Sequence, residues 1–128
     1  MTGREWRLAC AVFLGVVLDA VCFWKFQPYS AREHSPELLP WYFLPVATFA
    51  AGLALGIGFE AKKRWIPFAL FAGFAAANAG LIVMDCMADP TNHNLWPFEF
   101  VMIGLATAAA FIGTALSVWI DRSRRPQN

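Results

Sequence analysis

Charge is what this chain has little of. Asp, Glu, Lys and Arg make up 15% of its 128 residues, against 59% hydrophobic and 16% aromatic. A soluble domain carries roughly 25% charged residues, so the shortage of polar surface argues against a water-facing globule. Histidine occurs only twice, as His34 and His93, with no HExxH motif and no pair at helical spacing. Cys10, Cys22 and Cys86 are an odd number without CxxC spacing, which points to neither a disulfide framework nor a thiolate zinc site. On helical rise Cys86 stands roughly 9 Å higher than Cys22, beyond disulfide reach, so buried, reduced thiols are expected. There is no Gly-rich phosphate loop, no GxSxG and no basic patch interleaved with aromatics, so nucleic acid is not an expected partner. The length accommodates a single domain, residues 1–128.

What the chain does have is long apolar runs, and its mean hydropathy is +0.49. Four stretches, residues 8–26, 41–59, 66–84 and 98–120, approach the ~20 apolar residues that a bilayer-spanning helix needs. Lipid offers no hydrogen bonds to the backbone, so each run must be helical. The expected fold is an all-α, four-transmembrane-helix bundle. No small-x-small cleavage site follows the first run, since Gln27-Pro28-Tyr29-Ser30-Ala31 puts Tyr at −3; that helix is expected to be retained.

Arg4, Arg7, Lys62, Lys63, Arg64, Arg122, Arg124 and Arg125 fall on one side of these spans, and only Lys25 and Arg32 on the other. The positive-inside rule then places both termini and the short middle loop in the cytoplasm. The setting expected is a cell membrane, multi-pass, of the bacterial inner-membrane kind. The two longer loops, residues 27–40 and 85–97, face outward. Trp6, Trp24, Trp41, Trp65, Trp96 and Trp119 all lie near span ends, where indole rings favour the headgroup region.

Small residues spaced by four let helix backbones approach closely. Three such rows are Gly52 and Gly56, Ala72–Ala76–Gly80, and Ala109–Gly113–Ser117. Pro45 is expected to kink the second helix near its outer end. Ser35-Pro36-Glu37 and Asn94-Leu95-Trp96-Pro97-Phe98-Glu99 both read as helix starts. A histidine directly precedes each start, as His34-Ser35 and His93-Asn94, a short match of the kind a duplicated two-helix hairpin would leave.

Two groups of residues could carry chemistry. Asp19 lies beyond the middle of the first span, where a carboxylate costs about 2.5–3.5 kcal/mol on insertion scales. Asn78 falls at a similar depth on the third span, and Thr48 and Thr107 near it on the second and fourth. Together Asp19, Asn78, Thr48 and Thr107 make an intramembrane polar layer: a proton- or cation-coupled site, or an Asp–Asn hydrogen bond that holds helices together. The second group is on the outer face. Asp85 and Asp89 are i,i+4 neighbours if the third helix continues outward, and His93 and Glu99 follow. Histidine plus carboxylates can hold a divalent metal, whereas the alternative is a turn at Asp89-Pro90-Thr91-Asn92 with solvated acids. No other cofactor is indicated.

In size, helix number and an acid in the first helix (Asp19), the chain resembles the small multidrug-resistance exporters in architecture. It departs from them in carrying Asp rather than Glu, in its longer outer loops and in its strong charge bias. Three functions follow from the sequence: a non-enzymatic accessory, scaffold or sensing protein with an acidic, histidine-bearing outer face; a protomer of a small carrier using Asp19; or a metal-dependent membrane enzyme. The expected partners are the lipid bilayer and a second copy or another membrane protein.

The orientation is testable by cysteine labelling in intact cells. Ser35→Cys and Thr91→Cys should react with an impermeant reagent from outside, and Ser123→Cys should be protected; the opposite pattern would overturn the assignment.

Overall fold

The computed structural model describes residues 3–24, 39–40, 42–59, 63–88 and 96–124. The described chain is all helical: α1 (Gly3–Asp19), continued by a π-helical turn (Ala20–Trp24), then α2 (Phe43–Gly56), α3 (Trp65–Ala88) and α4 (Trp96–Ser123). Three of these are long and apolar enough to cross a membrane: Glu5–Trp24, Trp65–Ala88 and Pro97–Ser123. The expected helix over 41–59 is shorter than anticipated, at 14 residues. At 1.5 Å per residue α2 covers only about 21 Å, less than the ~30 Å of a hydrocarbon core.

Local chemistry sets the ends. α1 starts earlier than the apolar run because Glu5 suits a helix N-terminus. α3 continues past Met84 to Ala88, carrying Asp85 within the helix. α2 starts at Phe43, so Pro45 falls in its first turn, where a missing amide breaks no ladder bond and a kink is not required. It ends where Gly58 takes φ +67, a left-handed conformation that glycine adopts without steric cost.

Polarity is arranged for lipid rather than water. Large apolar side chains point outward, among them Phe13 (67% exposed), Leu105 (64%) and Ile112 (65%), while Asp19, Thr48, Asn78, Thr107, Thr114 and Ser117 are buried. Trp6, Trp65 and Trp119 are exposed near helix ends, as headgroup-level indoles would be. Trp41 lies outside the described residues.

α1 packs chiefly on α3 and α2 on α4, with α3 against α4 joining the pairs. Both main seams are closed by glycine. A Cβ on Gly15 would lie 2.3 Å from the Leu70 carbonyl oxygen, and one on Gly73 would lie 2.1 Å from that of Val12. In the other seam a Cβ on Gly52 would meet the Ala110 carbonyl oxygen at 2.3 Å, and one on Gly113 that of Phe49 at 2.1 Å. These contacts are reciprocal. Gly73 follows Gly15 by 58 residues and Leu70 follows Val12 by the same number, so each half offers the other an equivalent glycine and an equivalent carbonyl. That is how an isologous two-fold interface behaves, here between two helical hairpins of one chain.

Of the three small-residue rows, Gly52/Gly56 and Ala109–Gly113–Ser117 lie in the α2/α4 seam. The row Ala72–Ala76–Gly80 does not pack inside; all three residues are exposed, and a Cβ on Gly80 would touch nothing within 4 Å. α3 turns its neighbouring row inward instead, through Gly73.

The two kinds of glycine should separate in a denaturation series in micelles. Gly15→Ala, Gly73→Ala, Gly52→Ala and Gly113→Ala should each destabilise the fold by about 1–3 kcal/mol through overpacking. Gly80→Ala, placed in open space within a helix, should be neutral or stabilising by up to ~1 kcal/mol. Equal losses across the series would show that the seams are not closed in this way.

Candidate functional site

Each side chain of the expected polar layer is buried: Asp19, Thr48 and Asn78 at 0% exposure and Thr107 at 4%. The helices divide them into two pairs. Thr48 lies in the α2/α4 seam and donates to the Ala106 carbonyl at 2.6 Å, within reach also of the Leu44 and Pro45 carbonyls at 3.0 Å each. Thr107 donates back to Ile103 at 2.7 Å. Further along, Thr114 donates to Ala110 at 2.8 Å, with the Gly52 carbonyl at 3.4 Å, and Ser117 donates to Thr114 at 2.7 Å. The hydroxyls of α2 and α4 are thus bound to backbone carbonyls, as Ser and Thr in helices can be.

Asp19 and Asn78 belong to the α1/α3 seam. Asp19 is one turn beyond Gly15, and Asn78 one turn beyond Phe74, whose backbone nitrogen would lie 2.9 Å from a Gly15 Cβ. Because i and i+4 share a helix face, each residue faces the opposite helix just past the glycine crossing. The expected direct Asp19–Asn78 hydrogen bond is not made: neither Oδ1 nor Nδ2 of Asn78 has a hydrogen-bond partner among the described residues. Asp19 is also the last α-helical residue before the π-helical turn Ala20–Trp24; such turns recur at functional sites.

The outer-face group is only partly described. Asp85 is buried on the same stripe of α3 as Asn78, two turns further along, and Glu99 sits in the first turn of α4, half-buried. Asp89 and His93 lie outside the described residues, as do His34 and the Ser35-Pro36-Glu37 start. Among the described residues no three His, Cys, Asp or Glu side chains converge as a metal site would require. The cysteines are free and half-buried rather than fully buried.

Two residues have roles that the sequence reading did not assign. In the sequence Arg7 stands out only as a basic charge. Its Nη1 donates to the carbonyls of Leu55 at 3.0 Å and Ile57 at 2.6 Å, and its guanidinium lies 5.5 Å from the Phe59 ring centroid. It therefore caps the C-terminal carbonyls of α2, where a cation also complements the helix dipole. Asp121 accepts from the Gly58 amide at 3.2 and 3.0 Å through its two oxygens and pairs with Lys63, tying the α2–α3 turn to the end of α4. An acid in the basic C-terminal segment was the available signal.

No family model, curated protein or solved structure matches the chain.

The satisfied half of the layer gives a direct test. Thr48→Val keeps the side-chain shape and removes the bond to Ala106, so unfolding in micelles should show a loss of about 0.6–1.7 kcal/mol, the range for interhelical hydrogen bonds in membranes. No change would mean that the Leu44 and Pro45 carbonyls already take the whole bond.

Proposed function

We propose that this chain is a non-enzymatic multi-pass membrane protein that serves as an accessory, scaffold or sensing subunit, with both termini cytoplasmic in a bacterial-type inner membrane. The observation that carries this reading is the reciprocal backbone contact at Gly15, Gly73, Gly52 and Gly113. Carriers with internal repeats work by rocking one repeat against the other. Seams in which carbonyls press on glycine Cα atoms resist such sliding, since a packed interface does not deform continuously. A rigid bundle suits the holding of partners better than alternating access. The outward row Ala72–Ala76–Gly80 supports a helix of a second copy or another membrane protein as that partner.

A second reading, a protomer of a small proton- or cation-coupled carrier, is favoured by one observation. Asp19 is fully buried in an apolar span and adjoins a π-helical turn. A metal-dependent enzyme built on Asp85, Asp89, His93 and Glu99 is a third, resting on residue types alone.

Proteoliposomes decide between the first two. With pH- and cation-sensitive dyes inside, flux should equal that of protein-free vesicles, and Asp19→Asn should change nothing. In native membranes a photo-crosslinker at Met87, which is 82% exposed at the end of α3, should give one defined adduct. Flux above background that Asp19→Asn abolishes would replace the scaffold reading with the carrier.

A further inference from the structure

Asp121 does more than hold the α2–α3 turn. By accepting from Gly58 and pairing with Lys63, it brings the start of α3 beside the last turns of α4. The basic residues that flank these two helix ends are thereby gathered at one end of the bundle: Arg64 just before α3, Arg122 in the last turn of α4 and Arg124 just past it. Lys63 is neutralised by Asp121, whereas Arg64, Arg122 and Arg124 are exposed and make no salt bridge among the described residues. Glu5, the other acid described at this end, is on α1, which packs on α3 through Leu70 and Gly73, across that helix from Phe68. The positive end of the α3 dipole adds to the field beside Arg64.

Apolar surface lies directly beside this charge. The Arg64 guanidinium sits 5.9 Å from the Trp65 ring centroid, Trp65 lies 5.7 Å from Phe68, and Phe68 meets Phe111 of α4 edge-on at 5.3 Å. From Phe111 the surface of α4 leads back to the charge. Phe111, Ala115, Trp119 and Arg122 follow at spacings of four, four and three, so they share one helix face. Trp65, Phe68, Phe111 and Trp119 are all exposed, and so is the small Ala115. Guanidinium groups at the helix ends and rings deeper along the span reproduce, in opposite charge, the order of an anionic phospholipid, with phosphate outermost and acyl chains below. A soluble anion would use the charges and leave the rings uncovered; an apolar helix would do the reverse. The guanidinium fork matches phosphate geometry, and basic clusters just beyond a span recognise anionic headgroups.

We propose that Arg64, Arg122 and Arg124, together with Trp65, Phe68 and Phe111, form a docking surface for an anionic phospholipid. The proposal rests on the membrane-spanning reading alone and on neither the scaffold nor the carrier alternative.

The experiment is tryptophan quenching by brominated lipid, with the full chain reconstituted in phosphatidylcholine vesicles. In one series phosphatidylglycerol brominated on its acyl chains replaces the host lipid, and in the other equally brominated phosphatidylcholine does. A basic residue near an anionic surface is worth about fivefold in association, so the anionic lipid should be preferred by at least about that factor. Arg64→Gln and Arg122→Gln should each lower the preference, and the double variant should nearly remove it. Both arginines are exposed, so these changes leave the packing intact. Arg64→Lys combined with Arg122→Lys should retain most of it. Lys25→Gln, which removes a charge that the sequence puts at the opposite end, should leave it unchanged. Equal quenching by the two lipids would overturn the proposal, as would a preference that Lys25→Gln lowers as much as the arginine variants do. Recovery of fluorescence on adding glycerol phosphate would also overturn it, since a soluble phosphate would then be the ligand. Quenching by neither lipid would mean that the chain does not enter the bilayer, and the proposal would fall together with the membrane reading.

Discussion

The closeness of helix backbones at four glycines is the constraint on which the rest of the structure depends. Lipid tails are as apolar as leucine, so burying leucine between helices yields little in a membrane. What remains is dispersion between closely spaced atoms, which falls off within an ångström of optimal contact. At Gly15, Gly73, Gly52 and Gly113 a single added methyl would overlap a carbonyl of the facing helix. The two seams place α1 on α3 and α2 on α4, and the burial of Asp19, Thr48, Asn78, Thr107, Thr114 and Ser117 follows from those placements.

The turns at the other end of the molecule complete the constraint. Arg7 binds the last carbonyls of α2, and Asp121 joins Gly58 and Lys63 to α4. Both contacts cross between the seams, so they fix how the α1/α3 pair sits against the α2/α4 pair. They also use two of the basic residues on which the positive-inside expectation rests: Arg7 and Lys63 act as structural donors. A basic residue near a span end can hold both roles, because the guanidinium or ammonium stays at headgroup level while its stem lies along apolar surface.

How much of this was legible in the sequence depends on the type of signal. Length and apolarity gave the helices, because backbone satisfaction in lipid leaves no alternative. They overstated the second helix, whose ends are set by Pro45 and Gly58, and they understated the third. Spacing by four identified small-residue rows but not which row faces inward. On α3, Ala72–Ala76–Gly80 and the adjacent row through Gly73 satisfy the same pattern, and only the partner helix distinguishes them. The polar residues were found by type and depth, since Asp and Asn are rare at such positions. Their division between two seams was not visible, because depth along a helix says nothing about direction around it. Asp89 and His93 lie outside the described residues, so the outer-face group stands as the sequence reading left it.

The division of the polar layer has a chemical logic. A threonine in a helix can donate its one proton to a carbonyl of the preceding turn, so it needs no partner from elsewhere; Thr107 does this with Ile103, and Thr114 with Ala110. When a second helix comes within reach, as at Thr48 and Ala106, the hydroxyl ties the two together at little added cost. An asparagine amide has two donors and a carbonyl acceptor at the end of a longer side chain, and its own helix cannot satisfy them all. Threonine is therefore compatible with a tight, dry seam such as α2/α4. Asparagine requires a facing group, and Asn78 lies fully buried in the α1/α3 seam without a hydrogen bond among the described residues. The residue types thus distinguish a seam whose polar groups are bound by their own helices from one whose asparagine is not.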